Sequence, residues 1–125
     1  MIEIRISDGK NAAVALMKSG LTTNSGMLVY EAVEGSKTLG YCIFSISGGE
    51  GRIYSVSMCS EGLSAVADGL LRSALSLMCK RGAKDAVCGG GIDKALLLNT
   101  GFRHTGGQWM LSIGESFFAG CIGDK

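Results

Sequence analysis

Between Arg52 and Cys88 the spacing of apolar residues changes period twice, and that change constrains the fold more than any other feature of the chain. Arg52-Ile53-Tyr54-Ser55-Val56-Ser57-Met58 alternates in the manner of a strand. The small residues Cys59-Ser60-Glu61-Gly62 follow. Leu63, Val66, Ala67, Leu70, Leu71, Ala74, Leu77 and Met78 then recur at three- and four-residue steps, which predicts a helix with one apolar face. Lys80-Arg81-Gly82 predicts its end, since cations suit the negative pole of the helix dipole and glycine suits a left-handed cap. Lys84-Asp85-Ala86-Val87-Cys88 reads as a second strand. So short a return predicts a βαβ unit whose strands are parallel neighbours. The helix then opens at the carboxyl end of the first strand, where ligands sit in parallel arrangements, and a small-molecule site is expected there.

A chain of 125 residues is expected to form one domain, residues 1–125, with a core large enough to need no covalent staples. A formal net charge of +1 argues against non-specific nucleic-acid binding, which requires a basic surface. Asp68 and Arg72 interrupt the best apolar run, so no membrane span is expected. Met1-Ile2-Glu3-Ile4-Arg5-Ile6 is charged and alternating, unlike a signal peptide, and a cytoplasmic location is expected. The cysteines, Cys42, Cys59, Cys79, Cys88 and Cys121, are odd in number and form no CxxC pair; free thiols are expected. With His104 the only histidine, no metal site is expected.

Taken in order, residues 2–6 predict a strand, and Ser7-Asp8 an N-cap for a short helix over residues 11–18. A polar loop over residues 20–26 leads to strands over 27–33, 39–47 and 52–58. The turns Glu34-Gly35-Ser36-Lys37 and Gly48-Gly49-Glu50-Gly51 between them predict an antiparallel meander. After Cys88 and Gly89-Gly90-Gly91 come a helix over 93–99, a strand from Gly101, a turn at Gly106-Gly107, a last strand over 109–117 and a loose tail over 119–125. The order is β-α-β-β-β-α-β-α-β-β, an α/β fold with a mixed sheet and helices on both sides.

This order, together with two stretches of sequence, resembles the GNAT superfamily of acetyl-CoA-dependent N-acyltransferases. Asp93-Lys94-Ala95-Leu96-Leu97-Leu98-Asn99-Thr100-Gly101-Phe102-Arg103-His104 looks like the family's late helix and its Gly-Phe-basic step. Val56 to Leu75, followed by Lys80-Arg81-Gly82-Ala83-Lys84, is similar to the family's central strand, pyrophosphate loop, long helix and return. The resemblance is strongest over residues 27–117, and the N-terminal part is shorter than the family's, which has a second helix where this chain has the polar loop after Gly20.

The resemblance implies a GNAT-like fold, acetyl-CoA as acyl donor without a metal, and a small-molecule or peptide amine as acceptor. Anchored on Leu70-Leu71, the family's Q/R-x-x-G-x-G/A pattern falls on Gly62-Leu63-Ser64-Ala65-Val66-Ala67 in a degenerate form, with Gly62 at the Gln/Arg position and alanine at both small positions. It implies that these six residues hold the pyrophosphate through backbone N–H groups, with the backbone near Val56 and Met58 on the pantetheine arm. Glu61 and Asp68 are expected to weaken that site, because a carboxylate about 5 Å from a diphosphate costs on the order of 1–3 kcal/mol.

The resemblance names no catalytic residue, since the family's late-helix tyrosine falls near Leu97 and the central strand offers Tyr54, Ser55 and Ser57 but no carboxylate. The expected function is acyl transfer to a primary amine. Alternatives are a catalytically inactive GNAT-like domain that binds ligands or regulates, and a self-associating domain, for which a homodimer is the simplest form. Of the remaining residues, Lys80, Arg81 and Lys84 are read as a solvated helix end or a nucleotide 3′-phosphate site. Cys59 is read as a free thiol or, paired with His104, a nucleophile. Phe102 and Trp109 are read as core.

Overall fold

The computed structural model describes residues 2–6, 27–59, 62, 64–88 and 92–113. Seven strands form one sheet: β1 (Ile2–Ile6), β2 (Met27–Glu34), β3 (Lys37–Ser47), β4 (Glu50–Met58), β5 (Asp85–Cys88), β6 (Arg103–Thr105) and β7 (Gln108–Ser112), in the order β1-β2-β3-β4-β5-β7-β6. The described helices are α1 (Ser64–Lys80) and α2 (Lys94–Thr100). β1 to β4 form the antiparallel meander, and β4 and β5 are the parallel neighbours that the short return from α1 requires. The expected helix over 11–18, the Gly89-Gly90-Gly91 turn and the tail over 119–125 lie outside the described residues. Among the described residues no helix is long and apolar enough to cross a membrane.

Local chemistry places each element. β3 and β4 meet at Gly48-Gly49, both at positive φ, as the tight turn that matches strand twist demands. Both strands therefore extend to the turn, and start earlier than the apolar pattern alone implies. α1 ends where Gly82 adopts φ +87° and the Ala83 N–H reaches back to the Met78 carbonyl. At the end of α2, Gly101 at φ +115° donates to Leu97 and Leu98, and the Phe102 N–H bonds Leu97 O at 2.9 Å. This left-handed cap turns Phe102 into the core, where it is 1% exposed.

One core cluster joins α1 and α2 to the same face of the sheet. Leu70, Leu71, Ala74, Leu75 and Met78 of α1 and Leu97 of α2 meet Ala32, Cys42, Phe44, Ile53, Ala86, Cys88 and Leu111. Leu75 was absent from the expected apolar stripe, yet it is fully buried, one turn on from Leu71. Trp109 is only partly buried and stands edge-on to His104, with ring centroids 5.1 Å apart. On the opposite face Val29 and Ile43 form a small cluster with Met27, Tyr41 and Tyr54. Because both described helices serve one face, the expectation of helices on both sides rests on the residues 11–18 that are not described.

β4 carries the feature that prepares the site. Ile43 pairs with Ser55 and Phe44 with Ile53, so Tyr54 is an extra residue, a bulge. A one-residue insertion reverses which side chains face which side of a sheet. Before the bulge, Gly51 and Ile53 face α1; after it, Val56 and Met58 do. The two serines go to the other face, where Ser55 and Ser57 share a hydrogen bond at 3.0 Å and Tyr54 Oη bonds Ser45 Oγ at 3.1 Å.

Two outcomes follow from this packing. A Cβ at Gly51 would fall on the buried Met78 thioether, so Gly51→Ala is expected to lower unfolding stability by about 1–3 kcal/mol in urea titrations. Burial pushes the Cys88 thiol up to about 12, and burial followed by the nearby Cys88 pushes Cys42 up as well. The folded chain thus keeps protons that an unfolded thiol sheds near pH 8.5. That stabilisation is intact below about pH 8.5 and is lost as pH rises towards 12, at up to about 1.4 kcal/mol per pH unit per thiol. The urea stability of Cys42→Ala/Cys88→Ala is expected to fall less steeply than wild type between about pH 9 and 11.

Candidate functional site

The ladder between β4 and β5 ends after four pairs, the last being Ile53 with Cys88. Beyond it, among the described residues, no strand meets the backbone groups of Tyr54–Met58 on that side. α1 begins at the same end of the sheet, and the first four N–H groups of a helix have no partner within it. A cavity of about 810 Å³ lies between these two sets of backbone groups.

β4 contributes Val56 and Met58 to its wall, turned inward by the Tyr54 bulge. Gly62 and the start of α1 contribute Ser64, Ala65 and Ala67, and the next turns add Asp68 and Arg72. The opposite wall is Asp93, Ala95, Leu96 and Asn99, at the start and along one side of α2. Six expected residues thus border one space: Val56, Met58, Gly62, Ser64, Ala65 and Ala67. The Val66 side chain turns into the core instead and is 9% exposed. Leu63, Glu61 and Ser60 lie outside the described residues.

The second wall was not foreseen, although a signal existed. Asp93, Leu96 and Asn99 are three residues apart, the spacing of one helix face. Leu97, where the resemblance placed an acid, is fully buried and does not border the cavity. The polar side chain that α2 presents there is Asn99, a hydrogen-bonding group that does not ionise.

The charge pattern also differs from expectation. Asp68 is bonded by Arg72, whose Nε stands 2.8 Å from Oδ2, so the carboxylate expected to repel an anion is matched by a cation one turn on. Arg72 is the one cation among the described lining residues. Among the described residues no acidic side chain occupies the first turn of α1, where the positive pole of its dipole lies. Asp93 Oδ1 accepts from the Ala95 N–H at 3.1 Å and caps α2.

Other candidates fall away. Lys80, Arg81 and Lys84 lie at or just past the far end of α1, a 17-residue helix about 25 Å long, and are a solvated helix end. Cys59 is exposed at the end of β4, whereas His104 is on β6 against Trp109, with β5 and β7 between the two strands, so no nucleophilic pair exists. Glu31 is the buried carboxylate of the described residues, but it sits on β2 and is engaged by Arg5 Nε at 3.0 Å. Both described carboxylates that border the cavity have a partner, Asp68 accepting from Arg72 and Asp93 from the Ala95 N–H. Asp93→Ala is expected to cost about 1 kcal/mol of stability by removing the α2 cap, and Asp93→Asn a few tenths, measured by urea unfolding.

No family model and no curated protein matches this sequence. Solved structures do match it in shape. The ribosomal-protein-S18-alanine N-acetyltransferase of Escherichia coli is 14% identical, with a TM-score of 0.74 over 94% of this chain and 99% of that one. A GNAT family acetyltransferase from Brucella melitensis, in complex with acetyl-CoA, is 19% identical, with a TM-score of 0.70 over 91% and 89%. The PaiA N-acetyltransferase from Thermoplasma acidophilum, in complex with coenzyme A, is 14% identical, with a TM-score of 0.55 over 79% and 65%. At such low identity it is the fold that is shared: the chain has the fold of the GNAT-family acetyltransferases.

Proposed function

We propose that this chain is a diverged GNAT-superfamily N-acyltransferase that takes acetyl-CoA, or a related acyl-CoA, in the cavity between β4 and α1 and acylates a primary amine. The observation that carries the reading is the coincidence, in one space, of a strand edge that has no strand neighbour among the described residues and a helix N-terminus. An extended chain of amides pairs with the first, and a diphosphate is held by the second. The residues present fit such a group. Ala65 and Ala67 leave the backbone approachable, Gly62 brings no side chain, and Val56 and Met58 offer apolar contact to an alkyl chain. The coenzyme-bound relatives in shape are consistent with this assignment.

A bound thioester supplies an activated acyl carbon. The protein's own part is positioning. The Tyr54–Met58 edge fixes an extended ligand in register, Val56 and Met58 exclude water from it, and the first-turn amides of α1 hold its anionic end. Holding two reactants in line contributes much of a transfer rate without a dedicated acid or base. A second reading, a module that binds the coenzyme without transferring the acyl group, is favoured by two observations: Leu97 is in the core, and both lining carboxylates are engaged.

Isothermal titration of the purified chain with coenzyme A and acetyl-CoA tests the shared part of both readings. Binding below about 1 mM is expected, and Ala65→Trp, at an exposed position on the cavity wall, is expected to remove it while melting stays unchanged. Absence of heat at that concentration overturns the proposal. Release of free thiol from acetyl-CoA in the presence of a panel of primary amines then separates the enzyme from the module.

A further inference from the structure

Asp68 and Arg72 do more than neutralise each other. Both border the cavity, one and two turns beyond Ser64, on the side of α1 turned away from the core residues Leu70, Leu71 and Ala74. Side chains on a helix lean towards its N-terminus. The hydrogen bond from Arg72 Nε to Asp68 Oδ2 thus holds the guanidinium over the turn before its own, about 6 Å along the axis from the first-turn amides. The pair is exposed, at 45% and 37% for the two side chains. Exposed pairs at this spacing shift an equilibrium by only about twofold. A phosphate carries more charge than a carboxylate and meets the guanidinium in the same two-pronged geometry, so it displaces Asp68 at little cost.

We propose that Arg72 is the phosphate-binding cation of this cavity and that Asp68 is its built-in competitor, a counter-ion that must let go before a phosphate-bearing ligand is fully held. The inference rests on the reading of the cavity as a coenzyme A site and assigns to it a residue that sets affinity. Asp68 acts in two ways. It repels the ligand directly, and it occupies the cation the ligand needs. The second effect exists only while Arg72 is present, which makes the two positions non-additive. The phosphate concerned is the diphosphate or the ribose 3′-phosphate, and both present the same chemistry to Arg72.

Calorimetry on wild type, Asp68→Asn, Arg72→Gln and the double variant, with circular dichroism confirming that each is folded, tests this. The ligands are coenzyme A, dephospho-coenzyme A and pantetheine. Asp68→Asn is expected to tighten coenzyme A about sixfold, about twofold from releasing the cation and about threefold from lost repulsion, and Arg72→Gln to weaken it about tenfold. With Gln at 72, the change at 68 is expected to gain no more than about threefold, the part due to repulsion alone. Pantetheine, which has no phosphate, is expected to bind all four proteins within about twofold of one another. The same response with dephospho-coenzyme A assigns the diphosphate to Arg72, and a lost response assigns the 3′-phosphate. An Asp68→Asn variant that binds coenzyme A no tighter than a wild type that does bind it overturns this inference and leaves the proposed function standing. An equal gain with and without Arg72, or a matching gain for pantetheine, does the same. Failure of all four proteins to bind coenzyme A overturns both.

Discussion

The site depends on a ladder that stops short. Among the described residues β4 and β5 share four parallel pairs, the last at Ile53 and Cys88, while β4 runs on to Met58. Backbone groups left without partners in a protein interior are costly, and a strand edge that faces a gap is tolerated when the gap admits water or a ligand. The Tyr54 bulge is the companion to the end of that ladder. It allows one strand to give Gly51 and Ile53 to the core under α1 and, a few residues later, to give Val56 and Met58 to the cavity wall on that same side. Without the extra residue, Ser55 and Ser57 would line the cavity in their place.

α1 is the second support, and its two ends have different duties. At its C-terminus Met78 fills the space that Gly51 leaves, and the Ala83 N–H returns to Met78 O, so this end is locked to the sheet by packing and by the cap. At its N-terminus the lining residues are small or polar, Ser64, Ala65 and Ala67, and leave the backbone approachable from the cavity. A helix fixed at one end by apolar contacts presents its other end in a constant position. That constancy is what an anion site made of backbone amides requires.

Much of this architecture was legible in the chain because its signals are local. The period-two run from Arg52, the three-four spacing through Met78 and the short return at Lys84 led to the correct pairing of β4 with β5. Six of the eight expected site residues line the cavity for the same reason, since strand end and helix start are fixed by sequence punctuation. The bulge was not legible, because one extra residue in an alternating run leaves no mark when serine and tyrosine suit either face. Nor was the α2 wall, which depends on how two helices distant in sequence meet across the sheet. Asp68 alone reads as a repelling charge in the sequence, and its pairing with Arg72 one turn on comes from the structure.

The corner at Gly101 and Phe102 bears on how far a sequence can drift beneath a constant shape. Its hydrogen bonds run from main chain to main chain, from the Gly101 and Phe102 N–H groups to the carbonyls of Leu97 and Leu98. Such a junction asks only for a residue tolerant of φ +115° and then a bulky apolar one, and is indifferent to the surrounding letters. A fold held at its corners by instructions this sparse can diverge until letter-by-letter comparison finds nothing. Its outline would still superimpose on proteins 14% and 19% identical to it.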